Sequence, residues 1–267
     1  MLRGYLERLA FGRPVSAESL PSIPGRPLTF SQSDGSPSMV IGGSVFPMAA
    51  GLCRVLIAEQ RALELGTGPP TLELGAGTGA VGIFAAALGA RALLTDKSIA
   101  RAAAQPVSYS ADGGLDVLEG ESDVLLDMLR HNADANQASA DHPIRVEPLD
   151  WMQREHVAAT LAASEAGAGF ALVLGSDITY ERDVHDGLAA AIASLLRPPD
   201  VQRRQAGGLA LIAHETRASY SAAEDVQMQS FVAKAQAHGL HVKLSDLNVQ
   251  PGSIGTLLRL SHAASAA

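Results

Sequence analysis

Seven short strand-like runs, some apolar throughout and some alternating with polar residues, recur along the chain, with helix-period segments between them. The runs cover residues 71–74, 92–95, 144–149, 170–174, 208–213, 241–247 and 254–260. Each has strand length and is bounded by Gly, Pro or Asp. Phe170-Ala171-Leu172-Val173-Leu174 is apolar throughout, as a central parallel strand covered on both faces should be. Between the runs, Leu52, Val55, Leu56 and Leu63 recur at three- and four-residue steps and predict a helix over 48–62. Further helices are expected after the glycines at 75–82 and running through Leu88, from Ser122 as cap through Asn132, in 152–168 together with an Ala/Gly loop, over 184–196 and over 222–238. Pro198-Pro199 and Gly239 stop the last two. Strand and helix thus alternate until the end, where Pro251-Gly252 joins the last two strands. A connection that short joins antiparallel strands, because parallel ones need a crossover. The expected fold is α/β, a mostly parallel sheet with one antiparallel strand near the edge and helices on both faces.

The remaining stretches lack a clean period. Residues 1–27 form an N-terminal arm rich in proline (Pro14, Pro21, Pro24 and Pro27). Its first thirteen residues carry Arg3, Arg8 and Arg13 beside Leu2, Leu6 and Leu9, the spacing of a capping helix or a mitochondrial presequence; Glu7 and Glu18 favour the capping helix. A small hairpin is expected about Asp34-Gly35, with arms at 28–32 and 38–41. Residues 97–121 read as an insertion. One domain is expected over 28–262, with a frayed tail at 263–267.

Composition narrows the function classes. Hydrophobic residues make up 47% and aromatics only 4%, so the core is built from Leu, Val, Ile and Ala. The single cysteine, Cys53, excludes an internal disulfide or a thiolate cluster and fits a reducing compartment, the cytoplasm, with nucleus or mitochondrion as alternatives. The eight histidines have no metal-ligand spacing. A net charge of −8 disfavours binding nucleic acid through its phosphates. No apolar run is long enough to span a bilayer.

The chemistry gathers at Thr71-Leu72-Glu73-Leu74-Gly75-Ala76-Gly77-Thr78-Gly79-Ala80-Val81-Gly82. A strand, a glycine turn and a helix N-terminus make a ready site for a nucleotide-like ligand. Gly77-x-Gly79-x-x-Gly82, with Asp96 at the end of the next strand, also fits a dinucleotide fingerprint. A carboxylate at Glu73, just ahead of the glycines, would repel a diphosphate and suit an ammonium.

In this form the stretch resembles motif I of the seven-strand methyltransferases that use S-adenosyl-L-methionine. The later motifs sharpen the likeness: Thr95-Asp96, Leu129-Arg130-His131-Asn132 with Asn136, Leu149-Asp150-Trp151, and Gly175-Ser176-Asp177-Ile178-Thr179-Tyr180. Together they resemble methyltransferase family 16, the lysine-methyltransferase-like group, from about residue 28 to 260. Asp177-x-x-Tyr180 is the most specific mark. The resemblance implies a Rossmann-like seven-stranded sheet, S-adenosyl-L-methionine as cofactor, a protein lysine as substrate, and a monomer. It places Gly75, Ala76 and Gly77 at the cofactor's amino-acid end, with Glu73 drawing the ammonium. Asp96 falls at the ribose, Trp151 and Asp150 at adenine, and Phe46 and Ser176 at the pocket wall. Asp177 and Tyr180 become the catalytic pair.

The sequence departs from the family at Phe46, where a Trp is usual, at Ser176, and in the 97–121 insertion, a possible substrate lid. Ordinary structural roles compete at each position: Asp96 and Asp177 as helix caps, Tyr180 as packing, Trp151 as a core aromatic. His214-Glu215, at a strand end, could touch substrate. A histidine or small-molecule methyltransferase, a non-catalytic cofactor-binding scaffold and an NAD(P) enzyme remain open alternatives.

Overall fold

In the computed structural model, the structure describes residues 19–32, 43–98, 123–200, 206–216, 225–249 and 253–263, with the backbone alone at 107–109 and 115–117. The expectations for residues 1–13, for one arm of the 28–41 hairpin and for the end of the tail lie outside the described residues.

Seven strands form one sheet. They are β1 (Pro70–Leu74), β2 (Arg91–Asp96), β5 (Arg145–Pro148), β6 (Leu172–Ser176), β7 (Leu209–Thr216), β8 (Leu240–Leu247) and β9 (Ile254–His262). Their order is β5-β2-β1-β6-β7-β9-β8. β9 runs antiparallel to both neighbours, and every other pairing is parallel. The reversed strand therefore lies one place in from the edge, as the short Pro251-Gly252 connection requires. Because the order reverses between β1 and β6, a crevice opens at the carboxyl ends of these strands.

Strand alternation sends side chains to two cores. Leu72, Leu74, Val173 and Ile212 face α5 (His185–Leu195) and α6 (Val226–Ala237), against Leu188, Ile192 and Phe231. Leu172, Leu174, Leu211 and Ala213 face the opposite side, against Met48 and Leu52 of α1 (Pro47–Ala58) and Val81 and Phe84 of α2 (Ala80–Ala87). A third cluster joins α2, β2 and α3 (Val124–Asn136) through Ile83, Leu94, Leu126 and Leu129. No described helix is long and apolar enough to cross a membrane.

Several boundaries differ from the pattern. α1 ends at Ala58, not near 62, and Glu64 takes a left-handed conformation in the turns that follow. The α3 cap is Asp123, whose carboxylate accepts the Leu126 amide at 3.1 Å, rather than Ser122. α6 begins at Val226 because Asp225 caps it, accepting the amides of Gln227 and Met228. Helix α4 (Arg154–Ala162), by contrast, stops ahead of the Ala/Gly stretch of 152–168, as the sequence suggests. The 97–121 insertion contains two short antiparallel strands, β3 (Val107–Tyr109) and β4 (Leu115–Val117).

Two buried asparagines fix the arm. Asn136 Oδ1 accepts the Thr29 amide at 2.8 Å, and its Nδ2 donates to the Thr29 carbonyl at 2.6 Å. One helical turn earlier, Asn132 pairs with the amide and carbonyl of Ser31 in the same way. The two side chains stand in for a strand, satisfying an extended segment that joins no sheet among the described residues. Asn132 also donates to the Thr78 carbonyl at 2.9 Å, tying arm and helix to the glycine turn.

Candidate functional site

The glycine turn follows β1. Gly75, Gly77 and Gly79 all have positive φ (60°, 54° and 80°), the region where a Cβ clashes with its own backbone. The Ala76 amide bonds the Thr95 carbonyl at 3.0 Å, which holds the turn to β2. A Cβ on Gly75 would stand 2.6 Å from Ile178 Cγ2 and 3.6 Å from two ring carbons of Trp151. The bare glycine thus lets Ile178, in the loop after β6, and the Trp151 indole close against the turn, a backbone cradle that these two side chains wall.

Glu73 lies behind this cradle. It alternates with Leu72 and Leu74, so it faces α2, and it is only 2% exposed. Its Oε2 accepts the Gly82 amide of α2 at 2.9 Å. A Cβ on Gly82 would come within 2.5 Å of that oxygen, so the third glycine of the fingerprint makes room for this carboxyl. Burial pushes the Glu73 carboxyl up to about 8; the Gly82 amide works against this and Asp96 adds to it. Near neutral pH the group carries a proton. It fastens the strand to the helix N-terminus and is not a charge facing the open side of the turn.

Asp96 ends β2, half-buried. Its Oδ2 accepts the Gly77 amide and its Oδ1 the Lys97 amide, both at 2.7 Å. A carboxylate has about four acceptor positions, so two remain for further donors. Burial raises this carboxyl to about 6 against the pull of the two amides. Asp96 caps no helix among the described residues: Lys97 and Ser98 follow without helical structure.

Asp150 and Trp151 follow β5. Asp150 Oδ1 accepts the Met152 amide at 3.0 Å, and its Oδ2 pairs with Lys97 Nζ at 3.2 Å and with Gln153. Burial raises this carboxyl, but these partners outweigh it and hold it below the usual range. Trp151 is half-buried against the α5/α6 core, with its ring edge toward Gly75.

The loop after β6 completes the site. Ser176 is the last strand residue, and Asp177 takes φ 56° while its amide bonds the Ala213 carbonyl at 2.8 Å. Asp tolerates this conformation better than most residues. Helix α5 begins only at His185 and has no side-chain cap, so Asp177 does not cap it. Ile178 and Thr179 turn inward and are buried, while Asp177 and Tyr180 stay half-buried. The spacing of Asp177-x-x-Tyr180 therefore reflects two residues turned in between two turned out.

The structure gathers Gly75, Ala76, Gly77, Asp96, Trp151 and Asp177 at one edge of the sheet, with Asp150 beside them. Phe46 stands half-buried at the N-terminal end of α1. His214 is buried and bonds Thr179 and Asp225, so it takes the role of a support and not of a surface contact. Sequence patterns did not single out Ile178 or Lys97 for the site. Ile178 could have been found as the apolar residue inside the Asp-x-x-Tyr motif; Lys97 gave no signal beyond following Asp96. Among the described residues no His, Cys, Asp and Glu group could hold a metal ion.

Comparisons with known proteins agree with this architecture. Magnesium protoporphyrin IX methyltransferase from Synechocystis shares the fold in two structures. With bound SAM, the TM-score is 0.50 at 12% identity, covering 86% of this chain and 87% of that one. With bound SAH, the TM-score is 0.51, again at 12% identity. Mouse protein N-lysine methyltransferase METTL21A is 31% identical over 138 residues, 51% of this chain and 48% of the mouse protein. The chain thus matches about half the length of that curated relative. The sequence model of the lysine methyltransferase family matches residues 27–223, most of the chain, and the protein belongs to that family.

Proposed function

We propose that this chain is an S-adenosyl-L-methionine-dependent methyltransferase that modifies a lysine side chain on a protein. The observation that carries the proposal is the contact at Gly75. Ile178, inside the Asp177–Tyr180 loop, packs where a Gly75 Cβ would stand, so the turn that would cradle the cofactor and a candidate substrate loop are in direct contact. The mouse relative's protein-lysine activity supports the substrate class.

The residues present fit the cofactor. When bound, S-adenosyl-L-methionine supplies an electrophilic methyl group on a positively charged sulfur. Gly75, Ala76 and Gly77 leave backbone room for its amino-acid end. Asp96 keeps acceptor positions for a ribose diol, and Trp151 offers a flat face to adenine. Asp150 Oδ1 retains a lone pair for the adenine amino group, and Phe46 and Ser176 border the pocket. Glu73 acts from behind, through Gly82, by fixing the turn.

A lysine arrives as an ammonium and must react as a free amine. Asp177 attracts the ammonium and orients it. Tyr180 lines the approach and offers a hydroxyl to the nitrogen. Moving the ammonium out of water into this half-buried mouth lowers its pKa and favours loss of the proton to solvent. Orientation supplies much of the remaining rate. A monomer acting in the cytoplasm, without nucleic acid, fits the acidic charge and the buried lone Cys53.

The test is transfer of labelled methyl from the cofactor into a cell extract. Wild type should label protein at lysine, and Asp177→Ala should lose the label while still binding cofactor. Label confined to small molecules would replace this proposal with the metabolite alternative. Binding without any transfer would favour the scaffold, and binding of NAD(H) alone would refute the cofactor.

A further inference from the structure

The Asp177–Tyr180 loop is anchored from beneath by a buried polar chain that runs from its own Thr179 to His214 and Asp225. Thr179 is 1% exposed, and its Oγ1 lies 2.6 Å from His214 Nδ1. His214 is on β7, and its Nε2 lies 2.8 Å from Asp225 Oδ2. The other Asp225 oxygen accepts the first amides of α6. The Thr179 carbonyl is held in turn: His185 Nε2, on α5, lies 3.1 Å from it, and His185 Nδ1 lies 3.1 Å from Ser230 Oγ on α6.

The proton roles follow. Burial works to raise the Asp225 carboxyl, but His214 and the Met228 amide outweigh it and hold it below the usual range. An ionised carboxylate only accepts, so His214 Nε2 carries a hydrogen. Nδ1 and the Thr179 hydroxyl share the other bond. A carbonyl also only accepts, so His185 Nε2 donates to Thr179 and its Nδ1 accepts from Ser230. One short residue is thus fixed at both hydroxyl and carbonyl by two histidines from different elements. Two residues earlier, Asp177 takes a left-handed conformation, φ 56°, which persists only where the surroundings over-determine it.

We propose that Thr179, His214 and Asp225 are positioning residues that hold Asp177 and Tyr180 in register with the cofactor cradle. They act through the loop and touch neither substrate nor cofactor. This deepens the methyltransferase proposal and rests on it for the activity readout.

The test compares Thr179→Val, which removes the hydroxyl at nearly constant shape, with Thr179→Ser, which keeps it. Three quantities are read on the full chain: S-adenosylhomocysteine affinity by calorimetry, kcat and KM for the labelled protein substrate, and hydrogen exchange of the Asp177 amide. Thr179→Val should leave cofactor affinity within about twofold. It should lower protein methylation at least tenfold and speed exchange of the Asp177 amide at least tenfold. Thr179→Ser should restore both to within about threefold of wild type. Unchanged exchange in Thr179→Val overturns the proposal, and so does lost transfer that the serine does not rescue. If wild type itself transfers no methyl, the functional proposal fails separately, and exchange with serine rescue still decides the positioning role.

Discussion

Replacing Glu73 with glutamine removes a titrating proton from the heart of the fold and keeps an acceptor for the Gly82 amide. The native carboxyl is pushed up to about 8 from an ordinary value of 4.5. At about 1.4 kcal/mol per pKa unit, that displacement corresponds to on the order of 5 kcal/mol as an upper bound, which relaxation and water penetration reduce. The sign follows from linkage. The folded state holds the proton more tightly than the unfolded chain, so the contribution is complete below the ordinary glutamate value and lost as pH rises through about 8. Glu73→Gln has no such dependence. Its stability relative to wild type should therefore climb by up to roughly 1.4 kcal/mol per pH unit through the neutral range and level off above about pH 8. Asp96 is also raised, to about 6, but it is present in both proteins and largely cancels in the difference. Urea unfolding at several pH values, followed through the fluorescence of Trp151, the only tryptophan, measures that difference. A difference that stays flat with pH, or shrinks as pH rises, would refute a buried protonated carboxyl at this position.

Three further outcomes are expected. Asn132→Leu strands the Thr78 carbonyl and both backbone groups of Ser31, so it should destabilise the protein by about 2–3 kcal/mol in the same urea assay. Cofactor affinity measured by calorimetry should fall as pH drops through about 6, because protonation of Asp96 removes an acceptor from the ribose position; the dependence should vanish in Asp96→Asn, which should bind weakly at every pH. Lys97→Met should change stability by less than about 1 kcal/mol, since Lys97 is 63% exposed and its bond to Asp150 is screened by water.

The fold was largely legible because strand runs and helix periods report burial directly. All seven strands, their alternation with helices and the reversed strand follow from local patterns. Strand order does not, since nothing in β1 records that β6 lies beside it. The burial of Glu73 behind the turn was not legible for a related reason. Strand β1 alternates Thr71, Leu72, Glu73 and Leu74, a pattern that reads as one polar face, yet both faces are covered and Glu73 is buried against α2. Asp177 and Tyr180 were legible as a spacing, but the inward turn of Ile178 and Thr179 that produces it was not. The Thr179–His214–Asp225 chain joins three elements, and no periodicity links them. Asn132 and Asn136 stood out as polar residues one turn apart, yet their partners Ser31 and Thr29 lie about a hundred residues earlier.

The most direct measurement of the central claim is calorimetric titration of S-adenosylhomocysteine, with NAD+ as control, into wild type and Gly75→Ala. Wild type should bind the adenosyl ligand with one-to-one stoichiometry and ignore NAD+. Gly75→Ala should bind at least about a hundredfold more weakly, because its Cβ is strained at φ 60° and, 2.6 Å from Ile178, must push the loop after β6 away from the turn. Equal binding by the two proteins, or heat from NAD+ alone, would contradict the assignment of this turn as the cofactor site.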